Sequence, residues 1–224
     1  MCNFGKKQET MTQYKHIVFD FDGTIADTID LAVEMFNNIA HEYKMEPLNT
    51  EDQELIRRNR PQELLKTFGL NKMKLTTLML RLRKEMVHAI PKMKMIDGMK
   101  EALTQMKEAG YKMGILTSNS VENVSEFLKI NEVADIFDFI YSGKNLFGKA
   151  KVINKMLKQE GISKEQVVYV GDETRDVDAS HKANSPVIAV NWGLNNSDIL
   201  EKAKPDKIAE HPEQLIGYVG QIID

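Results

Sequence analysis

The chain has 224 residues, 42% hydrophobic and 28% charged, and its 30 basic and 33 acidic side chains leave a net charge of −3. This composition excludes collagen-like, disulfide-scaffold and membrane-spanning classes, and a net negative chain has no basic field with which to gather nucleic acid. The single cysteine, Cys2, closes no internal disulfide and the first residues hold no apolar leader, so a cytoplasmic, reducing compartment is expected, with neither membrane nor nucleic acid as partner.

Residues 1–14 are polar and unpatterned and read as a flexible tail. HIVF at 16–19 is a short apolar run ending in acids and Gly23, the pattern of a buried strand that feeds a loop. From 28 to 94 the spacing is helical without a clear strand. Leu31, Met35, Ile39 and Tyr43 recur every four residues, and Pro47, Pro61 and Pro91 divide the stretch. Met99, Leu103 and Met106 then mark a helix that Gly110 stops. Strands are expected at 111–116 and 137–141, and a helix over 150–160 that ends at Gly161. Further strands follow at 166–172 and 186–190, and a last helix opens at Pro212. Alternation of this kind predicts an α/β fold: a doubly wound parallel-sheet, Rossmann-like core of residues 15–27 and 95–224, interrupted by an inserted all-helical cap at 28–94. In such sheets ligands bind outside the carboxyl ends of the strands, where the acid and hydroxyl clusters of this chain fall.

Asp20 and Asp22 are two apart at a strand end, so both can face one site. Paired carboxylates suit a nucleophile and a general acid/base if a cation relieves their repulsion. Asp172 and Asp176 lie one turn apart if a helix begins near Glu173, and they offer the hard oxygen ligands that Mg²⁺ prefers. Acids complementing a helix N-terminus explain one of them equally well. Thr117, Ser118, Asn119 and Ser120 end a strand with hydroxyls and an amide, groups that bind phosphate oxygens, although Ser120 also fits an ordinary helix cap. Lys149, where a loop enters a helix, can neutralise a phosphate as a point charge. Five of the six arginines fall within 28–94, and Arg57, Arg58 and Arg60 lie just before Pro61, which disfavours helix at Arg60. A loop there is expected to hang over the site and let guanidinium forks select a substrate with a second anionic group. A solvated basic face accounts for the three arginines equally well.

Taken in order, DxDGT on the first strand, a hydroxyl after a second, a lysine before a helix and GDxxxD after a late strand resemble the haloacid-dehalogenase-like hydrolase superfamily. The resemblance spans residues 15–224, and FDFDGTIADT is most similar to the phosphoglycolate-phosphatase-like branch, which carries a helical cap after its first motif. It implies a Mg²⁺-dependent phosphatase that hydrolyses small phosphorylated metabolites through an aspartyl-phosphate. By position, Asp20 matches the nucleophile and Asp22 the acid/base. Ser118, with Thr117 as a one-residue alternative, Asn119 and Lys149 match the phosphate-binding groups. Asp20, the main-chain carbonyl of Asp22, Asp172 and Asp176 match the metal ligands. Ala150 stands where relatives often carry proline, which leaves Lys144 and Lys151 as competitors for the lysine role. A sugar-phosphate mutase of the same family and a non-catalytic phospho-ligand binding protein are the alternatives. Oligomeric state is not legible.

Overall fold

A computed structural model describes residues 15–143 and 148–223. The expected tail at 1–14 and the candidate Lys144 lie outside the described residues.

The chain opens with β1 (His16–Phe19) and a two-residue strand, β2 (Ala26–Asp27), before four helices: α1 (Ile29–Ile39), α2 (Thr50–Arg58), α3 (Pro61–Thr67) and α4 (Lys72–Ala89). It returns through β3 (Lys94–Met95), and α5 (Met99–Glu108), β4 (Lys112–Thr117), α6 (Val121–Ile130) and β5 (Phe137–Ser142) follow. The remainder is α7 (Lys149–Glu160), β6 (Val167–Gly171), α8 (Thr174–Ala183), β7 (Val187–Val190), α9 (Ser197–Ala203), β8 (Lys207–Ala209) and α10 (Leu215–Ile223). Six strands form one parallel sheet in the order β5-β4-β1-β6-β7-β8. The first strand is therefore central, and the order reverses beside it, which is the topological switch point of a doubly wound sheet.

Alternation explains why both faces are covered. Ile17 and Phe19 of β1 join one apolar cluster and Val18 joins the other. On β6, Val168 and Val170 face the first cluster, while Val167 and Tyr169 face the second. A strand buried on both sides reads as an unbroken apolar run, which is how these strands stand in the sequence.

The structure adds elements that the sequence pattern does not show. The antiparallel pair β2–β3 joins Ala26 to Met95 and Asp27 to Lys94, so a strand closes the stretch read as strandless. Only two residues long, it leaves no alternation to detect. The edge strand β8 has three residues and α9 seven, too short for a period. Pro212 opens a 3₁₀ turn, Pro212–Gln214, and the α-helix proper starts at Leu215. Among the described residues no helix is long and apolar enough to cross a membrane.

Candidate active site

Asp20 follows β1 directly. Its N–H donates to the Val170 carbonyl at 2.8 Å, which extends the sheet by one residue and fixes where the carboxylate emerges. One carboxylate oxygen accepts from the Phe21 N–H at 2.8 Å, the other from Lys149 Nζ at 2.6 Å. Phe21 points away, its ring edge-on to Phe127 with centroids 5.0 Å apart. With Phe21 anchored, Asp22 comes back to the Asp20 side, as extended chain requires. The Asp22 carboxylate accepts from the Asn119 side-chain amide at 3.3 Å. Gly23 takes the chain away at φ +75°, and a Cβ there would fall 2.2 Å from an Asp172 oxygen, so only glycine fits.

The second acidic group stands on the neighbouring strand end. Asp172 follows β6 and is buried. It accepts from the Thr24 hydroxyl at 3.0 Å and from the Leu194 N–H at 2.8 Å. Gly193 lies against it so closely that a Cβ would sit 2.3 Å from the Asp172 Cβ. Asp176 lies in the first turn of α8 and accepts from the Glu173 N–H at 3.1 Å, closing a capping box. Helix capping and a place in the site are thus compatible roles for one carboxylate. Lys149 opens α7, and its buried ammonium bridges Asp20 and Asp176. Carboxylate oxygens of Asp20, Asp172 and Asp176 all lie within 4.8 Å of one another.

Electrostatics follow from burial. Desolvation pushes Asp20 up to about 6, with Lys149 opposing. Desolvation and the neighbouring Asp20 charge push Asp22 up to about 7, against hydrogen bonds from Asn119 and Thr28. Burial also raises the Asp172 carboxyl well above its ordinary range, with the charges of Glu173, Asp176 and Asp20 adding to it. For Lys149, burial works against the charge, but Asp176 and Asp20 outweigh it and hold the ammonium well above its usual value. A crowd of carboxylates with one lysine among them lacks counter-charge, and its hard oxygen donors suit a divalent cation.

Ser118 borders the cavity beside Asp22, and both Thr117 and Ser118 border a smaller one with Lys149. The Thr117 hydroxyl accepts from the Asn119 N–H at 2.9 Å, so it keeps a proton to donate. Asn119 spends its side-chain donor on Asp22 and its acceptor on Ser120 and Asn123 at the start of α6. The Ser120 hydroxyl caps that helix by accepting from the Asn123 N–H. Lys151 is exposed.

The three selected arginines stand differently from the expected loop. Arg57 and Arg58 lie in the last turn of α2, and only Asn59 and Arg60 are extended. Arg58 pairs with Glu54 on the surface, and Arg60 pairs with Asp178 of α8 at 3.0 Å. The Arg57 carbonyl accepts from Asn196 and Asn195, which ties α2 to the start of α9. Acids one turn away and on α8 have captured the charges of Arg58 and Arg60, which the spacing of arginines alone cannot reveal.

Two other arginines reach the site. Arg175, between Asp172 and Asp176 in sequence, is largely buried and pairs with Glu173, and its Nε has no hydrogen-bond partner among the described residues. Arg83 of α4 donates to the Ser142 hydroxyl at 3.1 Å, across to the core, and borders a small cavity with Asp22, Ser118 and Asn119. Arg175 carried a signal, since it is the one arginine outside 28–94 and sits inside GDETRD. Arg83 carried none, because its reach depends on how α4 packs.

The haloacid dehalogenase-like hydrolase family model matches residues 17–190. The phosphoglycolate phosphatase of Synechococcus elongatus is 30% identical over 207 residues, covering 92% of this chain and 98% of the relative. Pyrophosphatase PpaX of Bacillus cereus is 25% identical over 205 residues, 89% of this chain and 94% of that one. A solved structure of a predicted phosphatase from Clostridium acetobutylicum superposes with a TM-score of 0.80 at 19% identity, covering 94% of this chain and all of the other. A chain described as a β-phosphoglucomutase from Thermotoga maritima gives 0.65 at 21% identity, covering 93% and 99%.

Proposed function

The chain belongs to the haloacid dehalogenase-like hydrolase family, and from that premise we propose that it hydrolyses small phosphate monoesters through a phosphoryl group carried on Asp20. One observation carries the reading: Lys149 bridges Asp20 and Asp176 while Asp172 closes the same cluster and Asp22 stands beside it. In this reading residues 15–27 and 95–224 do the chemistry, and the helical stretch 28–94 caps them.

Asp20 lies at the carboxyl end of the central strand with one oxygen on a backbone N–H and the other on Lys149. A carboxylate near 6 is ionised at neutral pH and able to attack phosphorus in line with the leaving oxygen. Asp22, near 7, holds a proton for the leaving oxygen and takes one from the water that later attacks the aspartyl-phosphate. Lys149, a hydroxyl from Ser118 or Thr117 and the Nε–H of Arg175 balance charge on the phosphoryl oxygens. Asn119 orients Asp22 through its amide. Asp20, Asp172, Asp176 and the main-chain carbonyl of Asp22 would hold Mg²⁺, which supplies positive charge against the transferring group when bound.

Phosphate release from a panel of metabolite phosphates, with Mg²⁺ and with EDTA, tests the reading. Metal-dependent release is expected. Interconversion of sugar phosphates without release would make the chain a mutase, and silence on every substrate would leave a binding protein.

A further inference from the structure

A cavity of about 300 Å³ lies between the four helices of residues 29–89 and the strand ends, and its lining divides sharply in chemistry. Toward the sheet it opens on Asp22, Ser118, Asp172, Glu173 and Arg175. Away from the sheet, the helices contribute apolar side chains almost alone, among them Phe36, Leu65, Phe68, Leu78, Met79 and Leu82. Among the described residues Thr28 is the one polar lining residue outside the acidic and basic mouth, and its side chain is already hydrogen-bonded to Asp22.

Cations are scarce in this space. Among the described residues Arg175 is the only basic one of its lining, and its guanidinium is already paired with Glu173. Arg83 lies in the adjoining small cavity and is held on Ser142. Arg58 and Arg60 are spent on Glu54 and Asp178. A carboxylate or second phosphate placed against Phe36, Leu65, Phe68 and Leu78 would be desolvated among side chains that offer it no cation, which costs far more than leaving it in water. An apolar group placed there leaves water for a lining it matches, and the volume suits a ligand of that kind at the small end of known pockets.

We propose that the phosphate monoester taken by this site has an apolar leaving group, an alkyl or aryl alcohol of roughly six to ten carbons, by the size of pocket such ligands fill, rather than an acid or a sugar. The assignment rests on the phosphatase reading and narrows it. The phosphoryl group meets the carboxylates and Lys149 at the strand ends, and the carbon chain runs into the space walled by α1, α3 and α4. This sets the chain apart from its relative named for phosphoglycolate, whose substrate would bring a carboxylate into the same space.

The test uses a homologous series in which leaving-group chemistry is constant: methyl, propyl and hexyl phosphate, with 2-phosphoglycolate and glycerol 3-phosphate alongside. Binding of methyl- and hexylphosphonate, followed by calorimetry with Mg²⁺ present, forms a second arm that needs no turnover. Expected is a rise in kcat/KM of about fourfold per added methylene, the worth of burying one such group. Hexylphosphonate should bind correspondingly tighter than methylphosphonate. Leu65→Asn, a half-buried position on α3, should cut the hexyl-to-methyl ratio by about tenfold. Phosphate release that is flat along the series, or faster with 2-phosphoglycolate than with hexyl phosphate, overturns the inference and leaves the phosphatase standing. Absence of release together with chain-length-dependent phosphonate binding removes the phosphatase reading and keeps the apolar site. Neither release nor such binding removes both.

Discussion

The mouth of the sheet and the helical wall opposite it are built on opposite principles. At the mouth, Asp20, Asp172, Asp176 and Lys149 are ionisable, buried and over-determined, each with at least two partners or with glycines pressed against it. On the wall, Leu64, Leu65, Phe68 and Leu70 are half-buried and hydrogen-bond to nothing through their side chains. Side chains fixed on strand ends keep a reacting geometry to within fractions of an ångström, which phosphoryl transfer requires. A wall of apolar side chains can change its shape one residue at a time without disturbing that geometry. On the proposed reading, reactivity and selectivity are carried by separate elements, and each can be perturbed while the other is watched.

The largest expected effect is at the mouth. Asp20→Asn keeps the shape and removes the proposed nucleophile, so turnover should fall by roughly 10⁴-fold or more while the fold stays intact, since like-charge repulsion is relieved. Retention of more than about one per cent of the rate would place the nucleophile elsewhere. Lys149→Met should follow, with a loss of roughly 10²–10³-fold, the scale for removing one charge-stabilising donor. It should also lower Tm of the metal-free protein at pH 8, because Asp20 and Asp176 are left facing each other uncompensated. An unchanged Tm would mean that the lysine is not what holds those carboxylates.

Metal and pH sharpen the contrast next. Asp20 and Asp22 titrate near 6 and 7 when folded, against an ordinary 3.8, and Asp172 is raised as well. The folded chain therefore binds more protons than the unfolded one across that window. The stability these groups confer is full below their ordinary value and is lost as pH rises through 6 and 7. Mg²⁺ should consequently raise Tm more at pH 8 than at pH 5.5, and EDTA should abolish activity without abolishing cooperative unfolding. Equal metal effects at both pH values, or loss of cooperative folding in EDTA, would contradict the arrangement. The smallest effect belongs to the outer surface of the helical stretch. Arg58→Ala removes an exposed pair with Glu54 and should move Tm by no more than about 2 °C and leave KM unchanged. A tenfold rise in KM would return Arg58 to the substrate.

Much of the mouth was legible because its signals are local. Asp20 with Asp22 follows from a two-residue period, Asp176 from a helix start at Glu173, and the strands from unbroken apolar runs. The wall was less legible because its chemistry depends on packing at long range. An arginine's sequence position says nothing of whether Glu54 or Asp178 will capture it, and Arg83 reaches Ser142 only once α4 lies across the sheet. The same holds for the apolar cavity. Its apolar residues are spread from Ile29 to Met86 over separate helices and the loops between them, and the space they leave exists only after assembly. Gly193 likewise reads as loop until Asp172 is found against it.

The account turns on Asp20 carrying the phosphoryl group, and chemical trapping tests that most directly. Protein turning over a phosphate monoester at saturation is quenched in acid and reduced with borohydride, which converts an aspartyl-phosphate to homoserine, and the peptide holding residues 16–24 is sequenced by mass spectrometry. The account predicts homoserine at position 20 only, dependent on substrate and absent from Asp20→Asn. Homoserine at Asp22, Asp172 or Asp176, or phosphate release that continues with no trapped residue at all, would contradict it.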